Sequence, residues 1–355
     1  MPRGKRKKTE DICDEVESLS QECELEDLPP VEDWIQTGCT VLDFAISNRF
    51  PGGIPAGRIT QIYGGSSTAK SLFAYTTMGY AQRAGYLTYY DDTERSINPE
   101  FTRMCGMNMK HSGFHVWHSE TIEEMFDKNI GGLVREAEKL KKDGKDVPKK
   151  FVVIDSITVL PAEIEQEKKM DEQGYGAYRA KQIHLGLRSW GRRALDSNIT
   201  ILMIDQTRAN VKSPFASETT VGGMGMEFWS SVRIYLKGKA KIQNSKKVNI
   251  GTWVDSTVTK TRFGPAYRGG LFRIEYSYGL DDIYSNLALL AKCQGASDKD
   301  LMLLTTKVIF KGETYTIKKW VHVIEDNEWE DDLREAVWEA WQGLHASDPR
   351  KERKW

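Results

Sequence analysis

The chain has 355 residues, 39% of them hydrophobic and 28% charged, with a formal net charge of −1, so the expected class is an ordinary soluble protein with one large α/β core and a small appendage. The near-zero charge excludes nucleic-acid binding by the whole-molecule field, so any such contact must come from local basic patches. No apolar run has membrane length, the N-terminus is too polar for a secretory signal, and a cytoplasmic location without membrane contact is expected.

Residues 2–8 are basic, and residues 10–33 then hold eleven Asp or Glu with no Lys or Arg. A block so charged and so poor in large apolar residues predicts a charged flexible arm over residues 1–33. From Trp34 the character changes. Thr37 to Asp43 reads as a capped helix start, and Phe50 to Gly57 as a turn-rich connection. Ile59 to Tyr63 is a β-branched run that predicts a buried strand, and Leu72 to Ala84 predicts a helix.

Between them lies Gly64-Gly65-Ser66-Ser67-Thr68-Ala69-Lys70-Ser71. Strand, Gly/Ser loop and helix form the context of a phosphate-binding loop, in which loop N–H groups and the helix N-terminus face an anion. Lys70 adds a full positive charge and the Ser71 hydroxyl is placed to hold Mg2+. Ala69 departs from the pattern G-x-x-x-x-G-K-[ST], where a second Gly is usual. Its Cβ narrows the backbone conformations allowed there.

Tyr86 to Asp91 predicts a second strand, running into Asp91, Asp92, Thr93 and Glu94 at the end where open α/β sheets bind ligands. Asn98 to Phe101 opens a helix, Gly113 to Trp117 reads as a strand, and Ile122 to Lys142 is helical in pattern. His111, His115 and His118 straddle that strand with no Cys or carboxylate to complete a ligand set, which argues against metal. Five scattered cysteines contain no C-x-x-C pair and suggest neither a disulfide framework nor a zinc ribbon.

Phe151 to Ile154 is a fully apolar run into Asp155, an Asp suited to holding through water the Mg2+ that Ser71 binds directly. Ile199 to Ile204 is another buried strand, ending in Asp205-Gln206, a polar pair within reach of a γ-phosphate. The polar stretches Glu163 to Gln182 and Thr207 to Gly225 read as long functional loops. Strands alternating with helices predict a mostly parallel sheet over residues 34–285, with antiparallel strands at Thr252 to Lys260 and Gly270 to Tyr276. Residues 286–355 read as a small C-terminal domain. There Lys307 to Phe310 and Glu313 to Ile317 pair, and Trp329 to Leu344 forms an amphipathic helix presenting Leu333, Val337 and Trp341. Its Trp residues are expected to form the core.

Taken in order, the blocks TGCTVLD, PAGRITQIYG, GGSSTAKS, DDTERSINP, FVVIDSITVL, IDQTR and TTVGGMGMEFWSSVR resemble the RecA family of homologous-recombination ATPases. The loose phosphate loop is similar to that of the phage-encoded, UvsX-like members. The resemblance covers roughly Trp34 to Asp282 and implies a RecA-like P-loop ATPase core binding ATP and Mg2+. By that resemblance Gly64 to Ser71 cradle the phosphates, Asp155 and Ser71 hold the metal, and Glu94 activates the attacking water. Phe101 packs on adenine and Gln206 senses the γ-phosphate. Arg208, Val211, Lys212, Gly222 and Gly223 fall in the second DNA-binding loop, and Arg179 in the first. Phe228 reaches across a protomer interface, and Lys260 and Arg262 meet ATP bound by the neighbouring protomer. Met224 and Glu227 stand where bacterial relatives have Asn and Lys.

The resemblance implies a recombinase that forms a helical homo-oligomer on single-stranded DNA, pairs it with homologous duplex, and works with a single-strand-binding or loader protein. Two other readings use the same residues: an ATP-binding accessory scaffold without strand exchange, and a hexameric helicase-type motor.

Overall fold

In the computed structural model, which describes residues 31–167, 172–207 and 223–345, the apolar runs form the centre of a twisted sheet. The strands are β1 (Trp34–Ile35), β2 (Ile54–Pro55), β3 (Ile59–Gly64), β4 (Leu87–Asp92), β5 (Phe114–Trp117), β6 (Lys150–Asp155) and β7 (Ile199–Gln206). They continue with β8 (Val232–Gln243), β9 (Asn249–Thr261), β10 (Arg268–Glu275), β11 (Gly279–Asp281), β12 (Lys307–Phe310) and β13 (Glu313–Thr316). Among the described residues nine of them form one sheet in the order β11-β10-β9-β8-β3-β7-β6-β4-β5. The six from β8 to β5 run parallel, and β9, β10 and β11 add antiparallel.

The parallel strands are apolar on both faces because helices cover both. Phe151 and Val153 of β6 and Leu202 and Ile204 of β7 face one core, while Val152, Ile154, Ile201 and Met203 face the other. This is the two-residue alternation of a strand, buried twice. The first core holds the helices Thr40–Ser47 and Lys70–Arg83; the second holds the segments 124–142 and 172–196.

Two stretches that pack in the second core differ from their sequence reading. Glu163 to Gln182, read as a long loop, contains the helices Glu163–Glu167 and Glu172–Gly186. Glu, Gln, Ala and Lys are good helix formers despite their polarity, and the second helix is anchored by fully buried Ile183. The helix over Ile122 to Lys142 begins with a π-helical turn, Glu124–Ile130, which meets a second one, Leu187–Gly191. Phe126 packs on Gly186 and Trp190 on Gly131, where a Cβ would fall 2.2 and 2.9 Å from the rings. The extra residue in each π turn leaves no signature in hydrophobic spacing.

The helix Thr40–Ser47 has no side-chain cap at Cys39. Its first turn is closed instead by Asp282, which accepts from the Thr40 N–H at 2.8 Å and its hydroxyl at 2.7 Å. Asp43 lies inside that helix, buried, and accepts from the Thr37 N–H and hydroxyl. Burial pushes its carboxyl up to about 8, against the Thr37 hydrogen bonds and with help from the charge of Asp282. The folded protein therefore holds a proton there that the unfolded chain releases near pH 4. Stability from this group is full below about pH 4 and is lost as the pH rises toward 8. Asp43→Asn should flatten that decline and be the more stable protein at pH 8, by on the order of a few kcal/mol, in urea titrations at a series of pH values.

Residues past 285 continue the first core. Trp320 and Trp341 are 1% exposed, and Leu333 and Val337 are fully buried. Phe44 meets the rings of Trp338 and Trp341 at 5.0 and 6.1 Å. The helix Ile317–Asn327, absent from the sequence reading, supplies Trp320. Among the described residues no helix is long and apolar enough to cross a membrane.

Candidate functional site

Four parallel strands, β3, β7, β6 and β4, end at the same edge of the sheet, and each delivers one part of the site there. A cavity of about 620 Å³ opens at this edge, lined by Ser66 to Ser71 with Glu94, Phe101, Asp155 and Gln206. Gly64 closes β3 at φ 159°, where a Cβ would lie 2.2 Å from the Leu236 carbonyl of β8, so the loop starts in a close backbone approach. The loop then turns through left-handed residues at Ser67 (φ 59°) and Ala69 (φ 69°).

Ala69 thus keeps a conformation that suits Gly, which explains how the loop tolerates the departure and what it costs. An L-residue in this region is disfavoured by roughly 1–2 kcal/mol, partly offset by the lower entropy of Ala in the unfolded chain. Ala69→Gly is expected to stabilise the fold by about 1 kcal/mol, read as a shift in denaturation midpoint.

Lys70 opens the helix Lys70–Arg83, and its ammonium donates to the carbonyls of Gly64 (3.1 Å) and Gly65 (2.7 Å). Burial lowers its pKa, opposed by the charges of Asp155, Glu94 and Asp205. The side chain is cationic, mostly covered, and aligned with the N-terminus of a 14-residue helix. Such a loop and helix end bind phosphate oxygens.

The acidic cluster after β4 divides by role. Asp91 is buried and bound by the Ser119 N–H and hydroxyl, while Asp92 accepts from the N–H groups of Ser96 and Ile97. Both are structural. Glu94 alone of the three carboxylates lines the cavity, accepting from the Ser156 hydroxyl at 2.7 Å and the Gln206 amide at 3.1 Å. The polar pair ending β7 divides likewise. Asp205 is fully buried and bound by Gln61 and Thr158, because neighbouring strand residues point to opposite sides. Only Gln206 faces the cavity, its N–H donating to Thr158 at 2.7 Å.

Asp155 ends β6 beside Ser71 and accepts from the Tyr90 hydroxyl at 2.6 Å. Burial raises its pKa; hydrogen bonds from Ser71 and Tyr90 oppose this, and the charges of Glu94 and Asp92 add to it. Buried carboxylate density next to a hydroxyl fits a hard divalent cation, with Ser71 and Asp155 as the groups to hold it. Phe101, edge-on to Tyr75 at 5.9 Å, forms part of an apolar wall.

Several lining residues escaped the sequence reading: Lys241 of β8, Thr252 of β9, Ile274 and Glu275 of β10, and Tyr276. They come from the antiparallel ribbon, far along the chain, and no local pattern connects them to the loop.

Phe228, Lys260 and Arg262 are not among the cavity residues. Phe228 is 67% exposed at the end of the helix Gly223–Trp229. Lys260 donates to the carbonyls of Glu227 and Phe228, and Arg262 to that of Phe228 at 3.4 Å, so both cations stand at the carbonyl end of the helix. Glu227 pairs with Arg233 at 3.3 Å. Arg179, on the helix Glu172–Gly186, is held by Glu165 at 2.6–3.0 Å. Arg208, Val211, Lys212 and Gly222 lie outside the described residues, and Gly223 opens its helix.

The family described as the RecA N-terminal domain matches residues 25–281. The chain is 30% identical over 249 residues to Protein RecA of Methylococcus capsulatus, covering 70% of this chain and 67% of that one. It is 28% identical over 305 residues to Protein RecA of Thermus aquaticus, 84% of each chain. With the mitochondrial DNA repair protein recA homolog of Dictyostelium discoideum it shares 26% over 266 residues, 75% of this chain and 55% of that one.

Proposed function

The chain belongs to the RecA family of homologous-recombination proteins, and from that membership we propose that it is a DNA-dependent ATPase that assembles on single-stranded DNA and exchanges strands with a homologous duplex. The observation that carries this reading is the convergence of Lys70, Ser71, Asp155, Glu94 and Gln206 on one cavity.

Phosphoryl transfer to water needs cations on the phosphates, a carboxylate on the nucleophile and little covalent chemistry. The loop N–H groups and Lys70 bind the β- and γ-phosphates, and Ser71 and Asp155 hold Mg2+. An ion held there would supply neutralisation of the negative charge developing on the phosphate chain. Glu94, oriented by Ser156 and Gln206, accepts a hydrogen bond from the attacking water. Because Gln206 bonds Glu94 and begins the segment that runs into the second DNA loop, a shift of that segment reorients the carboxylate. Phe101, Ile274 and Tyr276 receive the base.

Lys260 and Arg262 serve the nucleotide of the neighbouring protomer, with Phe228 in the contact. A head-to-tail contact of this kind that does not close gives a helical filament. DNA lies against the two loops, with Arg179 released from Glu165 as it enters, and is held through phosphates without base reading. A single-strand-binding or loader protein prepares the DNA. The phage-encoded branch of the family is our assignment from Ala69, and a charged arm over 1–33, a core over 34–285 and an appended segment over 286–355 is our division of the chain.

Electron microscopy with ATP and single-stranded DNA, followed by a joint-molecule assay with homologous duplex, tests this reading. Filaments and joint molecules are expected. Closed rings, or filaments that never yield joint molecules, would contradict it.

A further inference from the structure

We propose that Lys241 is a second cationic contact for the phosphate chain of the bound nucleotide, reaching it from the ribbon opposite the loop; this rests on the reading of the cavity as an ATP site.

β8 lies beside β3 in parallel, with Leu236 opposite Gly64. There β3 gives way to the phosphate loop, but β8 continues to Gln243 and carries Lys241 five residues further, about 16 Å along an extended strand. A straight ribbon would leave the loop behind. The pairing of β8 with β9 slips between Gly238 and Ala240, and an irregularity of this kind bends a strand and re-aims its side chains. Beyond the slip Lys241 lies opposite Thr252, whose hydroxyl donates to the Ala240 carbonyl at 3.1 Å, and both residues line the cavity that holds Ser66 to Ser71.

The charge of Lys241 is available. Glu275, the acid of this side of the cavity, is engaged by Arg273, which also meets Asp281 at 3.4 Å. Among the described residues the Lys241 ammonium makes no hydrogen bond or ion pair, and the residue is exposed. A free ammonium on a long stem, facing a cavity whose other wall binds phosphate, matches a polyanion and has little to offer an uncharged nucleoside. The base side of the same wall, Ile274 and Tyr276, is apolar and aromatic. The ribbon would then grip the nucleotide twice, by the base and by charge.

The test is equilibrium binding of ATP, ADP and adenosine to the full chain, to Lys241→Gln and to Lys241→Arg, at low and moderate salt. Lys241→Gln should weaken ATP about 10-fold at low salt, with a smaller loss for ADP, none for adenosine, and a gap that narrows as salt rises. Lys241→Arg should bind ATP like the parent. Equal ATP affinity in the parent and the Gln variant would overturn the assignment, and so would a loss as large for adenosine as for ATP. Failure of the parent itself to bind ATP would instead remove the ATP-site reading on which the assignment depends.

Discussion

Lys260→Ala combined with Arg262→Ala is expected to lower DNA-stimulated ATP hydrolysis by about 10³-fold while ATP binding to the isolated protein changes little. Both cations stand at the carbonyl end of the helix Gly223–Trp229, and neither lines the cavity of its own protomer. Each touches main-chain oxygens next to Phe228, a ring left 67% exposed. In the proposed shared site such cations act on a phosphate when a second protomer brings its cavity to them, and a cation supplied in trans is worth several orders of magnitude in phosphoryl transfer. Mixing separates this role from a merely structural one. Protomers carrying the double substitution keep Glu94, and protomers carrying Glu94→Gln keep the two cations. If the site is shared, an equal mixture of the two inactive proteins should recover about one-quarter of parental activity, the fraction of complete sites in random head-to-tail assembly. A mixture as inactive as its components would place Lys260 and Arg262 outside the shared site.

Glu94→Gln is expected to reduce turnover by roughly 10²-fold or more while the protein still binds ATP and holds single-stranded DNA. The carboxylate accepts two hydrogen bonds, from Ser156 and Gln206, at the mouth of a cavity whose floor is Lys70, Ser71 and Asp155. An amide in the same place preserves size and much of the bonding but is a poor acceptor for a water proton. In the proposed site Lys70 and Asp155 hold the phosphates and the cation and Glu94 does not, so binding should survive. Single-turnover hydrolysis measured beside nucleotide binding checks this: loss of binding in parallel with turnover would make Glu94 a structural residue, and full turnover would remove it from the chemistry.

The parts of the site written locally were legible in the sequence. An apolar run followed by Gly64 to Ser71 and then a helix requires only neighbouring residues, and β3 and the helix Lys70–Arg83 fall where that pattern puts them. The placement of Asp155 was equally legible, at the end of a buried apolar strand that delivers it to the same cavity. The family resemblance singles out Glu94 from Asp91 and Asp92, but the physical reason needs the fold. Three carboxylates within four residues look alike until Ser119, Ser96 and Ile97 claim two of them. Asp205 and Gln206 form a pair by residue type and the resemblance names Gln206 alone; strand alternation is the physical reason they divide. Glu172–Gly186 resembles a loop in sequence because of Gly174, Gly176 and a run of polar side chains; among its described residues Ile183, followed by Leu187 in the next turn, anchors it in the core. Lys241, Thr252 and Tyr276 were out of reach altogether, because their place depends on a ribbon slip that no local pattern announces.

The most direct test of the account is ATP hydrolysis by the purified chain with and without single-stranded DNA, at low and moderate salt. Hydrolysis that is slow alone, rises strongly on adding DNA and loses that stimulation as salt weakens the phosphate contacts is the predicted result. ATP that binds but is not turned over, with or without DNA, would contradict it.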